Sequence, residues 1–223
     1  IPTIKPWNNE AVFEKLDVLN ELGIFAAAMD IDGAGLPFLK AMNPNAGSKP
    51  VADLKAVIDY AKMPFIIKGI MTVAGAEKAV EAGAAGIVVS NHGGRVLGQT
   101  RATADVLPDI AAAVGGDLYE IRPAQPYTRA DLDWTNQSSR STVEMKDPAS
   151  RPAIDGRVED MAAYDTVFIG FPIWWYVEPR IVDTFLESYD FAGKTLIPFA
   201  TSGGSGIAGA EKSLRQHCPA AAW

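Results

Sequence analysis

The stretch PFIIKGIMTVAGAEKAVEAGAAGIVVS, residues 64–90, decides the fold class of this chain. It predicts a strand at Phe65–Ile70, a helix at Ala74–Ala82 that Gly83 closes, and a second strand at Ile87–Ser90. Neither strand alternates apolar with polar residues, which is typical of strands that are covered on both faces. A strand, a helix and a strand in this order predict a βαβ unit within a parallel sheet.

The same alternation continues on both sides of this stretch. We predict further strands at Pro2–Lys5, Phe25–Ile31, Leu118–Ile121, Thr166–Phe171 and Thr195–Ala200. We predict further helices at Glu10–Leu22, Lys49–Ala61, Ala104–Val114, Glu178–Tyr189 and Gly206–Arg215, with Gly23 closing the first and Gly115–Gly116 the third. The polar segment Pro123–Arg157 interrupts the pattern, and a loop of that length is usually functional or partly disordered. The pattern as a whole predicts an α/β protein.

Composition and charge limit the classes of partner. The chain has 223 residues, of which 48% are hydrophobic and 21% charged, so it can bury a globular core. Its net charge of −7 and the lack of a Lys/Arg block argue against nucleic acid. The apolar runs are too short for a membrane span and no leader is recognisable, so a cytoplasmic location in a recombinant host is expected. Cys218 excludes an internal disulfide and is expected to be an incidental thiol; no metal site is expected.

Residues 64–116 carry a motif with a recognisable family pattern. PFIIKGIMTVAGAEKAVEAGAAGIVVSNHGGRVLGQT, followed by LPDIAAAVGG, resembles the FMN-dependent α-hydroxy-acid oxidases and dehydrogenases. The resemblance implies part of a (β/α)8 barrel, with Lys68 at the flavin N1–O2 edge, His92 as the base and Arg95 holding the substrate carboxylate. Gly98 and Arg101 depart from the family's Asp and Pro, and the closing strands are missing. We therefore expect His92 and Arg95 to be relics of catalytic residues.

From Asp117 the sequence changes its family pattern. The segments YDTVFIGFPIWWYVEPRIVDTFLESYDFAGKTLIPFATSGGSGI resemble bacterial flavodoxin-like proteins. The resemblance implies that Pro172–Tyr176 lies along the isoalloxazine ring and that Thr201–Gly206 runs beside its other edge. Aromatic side chains offer a flat face for stacking, and a Gly-rich backbone offers N–H groups to flavin carbonyls. The alternative for Trp174 and Trp175 is ordinary packing.

Together, the two resemblances predict an engineered chimera with its junction near Gly116–Asp117. A barrel fragment, residues 1–116, would be joined to a flavodoxin-like fragment, residues 117–223, and the two would pack as one α/β domain. We expect a parallel sheet that is barrel-like or partly closed; the alternative is an open, doubly wound flavodoxin-like sheet. The choice depends on three strands, Phe65–Ile70, Leu118–Ile121 and Thr166–Phe171, which compete for the two edges of Ile87–Ser90.

The expected function is a scaffold without a catalytic duty that retains FMN binding. The alternatives are an FMN-binding electron-transfer flavoprotein or reductase and, last, an α-hydroxy-acid oxidase. The residues expected to contact FMN are Lys68, Ser90, Asn91, Gly93, Gly94, Pro172, Ile173, Trp174, Trp175, Tyr176, Thr201, Ser202, Gly203 and Gly204. Ser90–Arg95 stands where a flavodoxin has its phosphate loop. An unpaired sheet edge would favour a homodimer.

Overall fold

The computed structural model describes residues 1–96 and 98–223, and these divide into two compact units. The first unit is Ile1–Leu118 and the second is Tyr119–Trp223, so the boundary lies close to the junction predicted at Gly116–Asp117. Strands and helices alternate along the chain, which confirms the α/β class. That the two units pack as one domain stays a prediction.

The first unit is built on a four-stranded parallel sheet. Its strands follow one another in the same order along the chain and across the sheet: β1 (Thr3–Ile4), β2 (Ala27–Asp30), β3 (Phe65–Ile70) and β4 (Gly86–Val89). Strand β2 is buried along its whole length, as expected for an inner strand of a covered parallel sheet. Within residues 1–96 and 98–223, no pairing joins β4 to β1. The sheet is therefore open, which agrees with the open alternative and not with a closed barrel.

The helices of the first unit begin and end where local chemistry favours it. They are α1 (Asn9–Glu21), α2 (Pro37–Lys40), α3 (Val51–Tyr60), α4 (Val73–Glu81) and α5 (Thr103–Ala113). The side chain of Asn8 accepts a hydrogen bond from the first turn of α1, and Thr72 does the same for α4. Gly23, with a φ of 62°, follows the end of α1 as predicted. One apolar core joins the sheet to these helices through buried residues such as Leu16, Met29, Val57, Phe65, Ile67 and Ile110.

The second unit is built on two parallel strands. Its strands are β5 (Arg122–Pro123), β6 (Ile154–Asp155), β7 (Thr166–Pro172) and β8 (Thr195–Thr201), and its helices are α6 (Arg140–Lys146), α7 (Arg180–Glu187) and α8 (Ala208–His217). Strands β7 and β8 pair in parallel from Thr166↔Thr195 to Pro172↔Thr201, so they end at the same level. Their core includes Phe171, Phe185, Leu186, Leu196 and Leu214. None of the helices in the described part of the chain is long and apolar enough to cross a lipid bilayer.

Two sequence predictions need correction in the second unit. Residues 118–121 form no strand, because they cross the boundary between the units and the Tyr119 and Ile121 side chains pack into the second core. The strand that follows, β5, pairs antiparallel with β6. The polar segment Pro123–Arg157 contains helix α6, which the sequence analysis missed, and its N-cap Ser139 accepts a hydrogen bond from Thr142.

The predicted competition for the edges of the fourth strand is also settled within each unit. Strand β3 is the partner of β4, whereas β7 pairs with β8 in a separate sheet. Each of these pairings lies within one unit.

Candidate functional site

A tight turn follows strand β7 and exposes two aromatic side chains. The backbone N–H of Trp174 donates to the carbonyl of Val177 at 2.9 Å, and the Val177 N–H donates back at 3.1 Å. The two residues between them, Trp175 and Tyr176, have φ values of 47° and 73°. Positive φ is sterically unfavourable for aromatic residues, so these two are held in a strained backbone conformation. Their side chains are 41% and 74% exposed.

The loop after strand β8 lies beside this turn. The N–H of Ile173 donates to the carbonyl of Thr201 at 2.9 Å, which continues the pairing of β7 with β8. Ser202 shapes the loop, since its hydroxyl donates to the Ser205 carbonyl at 2.6 Å and accepts from the Gly204 N–H at 3.1 Å. A Cβ on Gly203 or Gly204 would meet no atom within 4 Å, so open space adjoins the loop. The structure thus brings together the predicted residues of these two loops.

Trp174 is supported by residues that the sequence analysis did not single out. Tyr127 contacts Trp174 edge-on, with 5.5 Å between ring centroids, and the Arg140 guanidinium lies 4.1 Å from the Tyr127 ring. Arg140 also donates to Glu144 at 2.7 Å. Burial, followed by the hydrogen bond to Glu144, raises the pKa of Tyr127 well above its ordinary value. Tyr127 and Trp134 are the two aromatic residues of the polar segment, so Tyr127 was a signal available from sequence.

In the first unit, Lys68 and His92 lie together with two aspartates in what we call the first cluster: Asp30, Asp32, His92, Lys5 and Lys68. Asp30 accepts from Lys5 and from Lys68, each at 2.6 Å. Burial acts to raise the pKa of Asp30, but the hydrogen bonds from the two lysines outweigh it and leave the pKa below its ordinary value. Asp30 is the last residue of strand β2, and Asp32 follows it. Functional residues of α/β proteins gather at this edge of the sheet, where the carboxyl ends of the parallel strands lie. Their position at the end of an apolar strand was the signal by which the sequence could have identified them.

Both ring nitrogens of His92 are engaged within the first cluster. Nδ1 lies 2.6 Å from Asp32 Oδ2, and Nε2 lies 3.2 Å from the Lys68 ammonium. With the proton assigned to Nδ1, the ring donates to Asp32 and accepts from Lys68, so both contacts are satisfied by a neutral imidazole. The nitrogen that would take a proton from a substrate therefore already accepts one hydrogen bond.

The loop Ser90–Arg95 directs most of its polar groups toward itself. Ser90 accepts from the His92 N–H at 3.2 Å, and Asn91 accepts from the Gly94 N–H at 3.3 Å. Arg95 is exposed and its Nε donates to the His92 carbonyl at 2.8 Å. Gly93 and Gly94 both have positive φ values, 64° and 76°, which glycine adopts without strain. The loop is a compact turn held by its own side chains.

Comparison with known proteins relates the chain to two groups. The sequence model of the flavodoxin family, described as "Flavodoxin", matches residues 63–223 and so crosses the predicted junction. The L-lactate oxidase of Lactobacillus jensenii is 39% identical over 95 residues, which are 43% of this chain and 23% of the relative. The L-lactate dehydrogenase of Allorhizobium ampelinum is 51% identical over 76 residues, 34% of this chain and 19% of the relative. The chain thus spans less than a quarter of the length of these curated relatives.

Partial matches also occur among solved structures. A protein from Bacteroides eggerthii that is described as a flavoprotein is 57% identical, with a TM-score of 0.49, over 51% of this chain and 71% of that one. A lactate oxidase from Pediococcus acidilactici is 31% identical, with a TM-score of 0.44, over 51% of this chain and 39% of that one. The match to the flavodoxin family points to FMN as the cofactor, in agreement with the sequence prediction.

Proposed function

Since the chain belongs to the flavodoxin family, we propose that it binds FMN through the loops after β7 and β8 and acts as an electron-transfer flavoprotein or reductase. The residues assigned to the isoalloxazine ring are Pro172, Ile173, Trp174, Trp175, Tyr176, Thr201, Ser202, Gly203 and Gly204. FMN, when bound, supplies one- or two-electron transfer. The protein's part is to hold the ring and limit its contact with water.

One observation carries the proposal: the strained turn that presents Trp175 and Tyr176. A non-glycine residue held at positive φ costs on the order of 1–3 kcal/mol, and such strain is concentrated at ligand clamps and active sites. Here two successive aromatic residues bear it, and both side chains remain exposed. Ordinary packing does not explain this arrangement, because neither side chain is buried in the core. Trp174 has in addition an edge contact with Tyr127, which supports the turn.

The chemistry of the two loops fits a flavin ring. The turn supplies flat apolar surfaces that can stack on the ring, and the loop after β8 supplies a polar edge. Gly203 and Gly204 leave room for close approach because a Cβ at either position would point into open space. A contribution of Lys68, Ser90, Asn91, Gly93 and Gly94 to FMN binding stays a prediction, and an Arg95→Ala variant tests it in the same titration.

The test is a titration of the purified chain with FMN, followed by flavin fluorescence. We expect saturable quenching at micromolar FMN, and about tenfold weaker binding after Trp175→Ala, since an aromatic stacking contact contributes about 0.5–1.5 kcal/mol. Trp134→Ala is the matched control, because Trp134 is a 70% exposed tryptophan of the same unit outside both loops. Absence of quenching, or equal affinity of the Trp175→Ala and wild-type proteins, would overturn the proposal.

We further propose that the first cluster has no catalytic duty in hydroxy-acid oxidation. The support is that His92 Nε2, the nitrogen needed for proton abstraction, already contacts Lys68, and that Arg95 is turned back to the loop carbonyl. When lactate is added anaerobically to the FMN-loaded protein, we expect the flavin absorption band to persist. Bleaching of the band by lactate would show that the cluster is catalytic.

The recombined origin of the chain is a separate proposal. It is supported by the coexistence of a flavodoxin family match over residues 63–223 with partial matches to lactate oxidase and lactate dehydrogenase. A chain that joins segments of two families in this way would keep residues such as His92 and Arg95 without the strands that complete their site.

A further inference from the structure

A buried group of ligand-type side chains lies in the second unit, apart from the two loops assigned to FMN. Glu178 precedes helix α7, Asp183 lies in its first turn and His217 in the last turn of α8. We call these three residues the second cluster. Glu178 and Asp183 are fully buried, at 0% exposure. One ligand atom from each of the three lies within 4.8 Å of the other two.

Each member of the second cluster has one polar atom occupied and one directed at the other members. Glu178 Oε1 accepts from Ser213 at 2.5 Å, and Asp183 Oδ2 accepts from Arg180 at 3.2 Å. His217 Nδ1 lies 3.0 Å from Glu187 Oε1. In the described part of the chain, Glu178 Oε2 and Asp183 Oδ1 have no hydrogen-bond partner, although both are buried. Buried polar atoms without a partner are rare and call for a ligand or an ion.

The spacing of the facing atoms suits a metal ion better than a hydrogen bond. His217 Nε2 lies 3.4 Å from Asp183 Oδ1 and forms no hydrogen bond with it. Two ligand atoms bound to one tetrahedral zinc ion at about 2.0–2.2 Å each are about 3.3–3.6 Å apart. The observed separation falls within that range.

The hydrogen bond between His217 and Glu187 orients the imidazole ring for metal coordination. With a proton on Nδ1 donated to Glu187, the Nε2 lone pair is directed toward Asp183. A carboxylate behind a histidine is the usual support of a metal-bound imidazole, because it sets the tautomer and the ring orientation. Glu187 is itself held by Arg151 through two hydrogen bonds of 2.7 Å. The support therefore extends two residues away from the ring.

The arginines beside the second cluster contact one oxygen of Asp183 and leave the other toward His217. Arg180 and Arg151 lie 3.2 Å and 3.9 Å from Asp183 Oδ2, the oxygen on the far side of the carboxylate. Glu178 and Asp183 are both fully buried, and a ligand oxygen of each lies within 4.8 Å of the other. Two buried carboxylates that face each other need a proton or a cation between them.

We propose that Glu178, Asp183 and His217 form a binding site for a divalent transition-metal ion of the zinc class. Imidazole nitrogen and carboxylate oxygen are established zinc ligands, and three protein ligands leave a fourth position for water. Cys218 is not a member of this group, and its buried thiol instead donates to the Leu186 carbonyl at 3.9 Å.

The test measures Zn²⁺ binding to the full chain, free of any affinity tag, by titration calorimetry in a metal-free buffer. We expect one zinc ion per chain at micromolar affinity. His217→Gln should weaken binding by at least tenfold, since even loss of a residue that only supports a ligand costs about 10–100-fold. Glu187→Gln should weaken it within that same range. His92→Gln and Cys218→Ser are the controls and should bind as the wild type does.

Three results would overturn the proposal: no binding by the wild-type chain at submillimolar zinc, binding that survives His217→Gln, or loss of binding with His92→Gln or Cys218→Ser. Far-UV circular dichroism of each variant shows whether it is folded. If His217→Gln does not fold, Glu187→Gln tests the proposal instead. Glu187 is partly exposed, so its replacement should leave the fold intact, and it removes no ligand.

Discussion

The two units each contain a cluster of two carboxylates and a histidine, and the clusters differ in what neutralises them. In the first cluster, the ammonium groups of Lys5 and Lys68 lie 2.6 Å from Asp30 and occupy both of its oxygens. In the second cluster, the nearest arginines reach only the far oxygen of Asp183. Two carboxylates and a histidine therefore make an ion-pair network in one unit, where Asp32 Oδ1 is buried without a partner, and a group with two such oxygens, Glu178 Oε2 and Asp183 Oδ1, in the other. The positions of the neighbouring cations, more than the types of the ligand residues, therefore distinguish the two clusters.

The clusters also differ in the backbone that positions them. Asp30 ends strand β2 and Lys68 belongs to β3, so the first cluster is set by strand register, in which Asp30 is opposite Lys68. The second cluster is set by the packing of α7 against α8, which brings together residues far apart in sequence. Strand register is fixed by backbone hydrogen bonds between adjacent strands, whereas helix packing depends on the whole core of the unit.

The largest expected effect comes from Gly69→Ala, which would break the first cluster sterically. Gly69 has a φ of 99°, and a Cβ there would lie 2.5 Å from Asp32 Oδ1. We expect the free energy of unfolding of the first unit to fall by about 3 kcal/mol or more, from backbone strain plus the clash. Urea denaturation measures it. Gly47→Ala is the control, since a Cβ there meets nothing within 4 Å; equal effects of the two substitutions would refute the assignment.

A smaller effect is expected from Lys68→Met, which removes one of the two cations of the first cluster. We expect the free energy of unfolding to fall by about 2 kcal/mol at pH 7. This is less than the usual cost of an unpaired buried charge, because Lys5 still pairs with Asp30. Asp30 has a lowered pKa in the folded state, so its stabilising contribution is complete above its ordinary pKa of 3.8 and disappears as the pH falls through the folded value. Acid unfolding of Lys68→Met should therefore begin at higher pH than that of the wild type.

Lys55→Met is the control for this prediction, because Lys55 pairs with Asp59 on an exposed helix face. Such surface pairs contribute about 0–1 kcal/mol. If the two lysine variants lost equal stability, the ion pairs of the first cluster would contribute no more than a surface pair.

The smallest effect is expected from Glu178→Gln, and comparison with the matching amide replacement Asp30→Asn contrasts the clusters directly. In buffer with a chelator, Glu178→Gln should raise the free energy of unfolding by about 1 kcal/mol, because the amide keeps the Ser213 contact and can donate to Asp183. Asp30→Asn should lower it, because two lysines lose their partner. Glu159→Gln, at an exposed glutamate, is the control. The same sign for Glu178→Gln and Asp30→Asn would remove the distinction between the clusters.

Much of the architecture was predictable because it rests on local signals. Gly23, Gly83 and Gly115 have positive φ values at helix ends, where the sequence pattern placed them. The apolar runs of β3, β4, β7 and β8 were recognisable as strands for the same reason. Residues 118–121 were wrongly predicted as a strand, because a short apolar segment at a boundary between units has no neighbouring strand to pair with.

The candidate sites were predictable only in part. The loops after β7 and β8 were identified because their segments resemble those of flavodoxin-like proteins, and such short motifs can be read from the sequence alone. Tyr127 and helix α6 were missed, since their role depends on a contact with Trp174 that sequence spacing does not reveal. Glu178, Asp183 and His217 were missed because none stands out locally and the residues meet only through helix packing.

The sequence by itself determined the α/β class, most of the strands and helices, and the two family patterns, because periodicity, glycine positions and short motifs act over a few residues. Only the tertiary structure decided that the first sheet is open, which lysines neutralise Asp30, and which carboxylate oxygens remain without a partner. Those properties depend on distances between residues far apart in the chain. Electrostatic interactions and hydrogen bonds are set by such distances, which sequence separation does not measure.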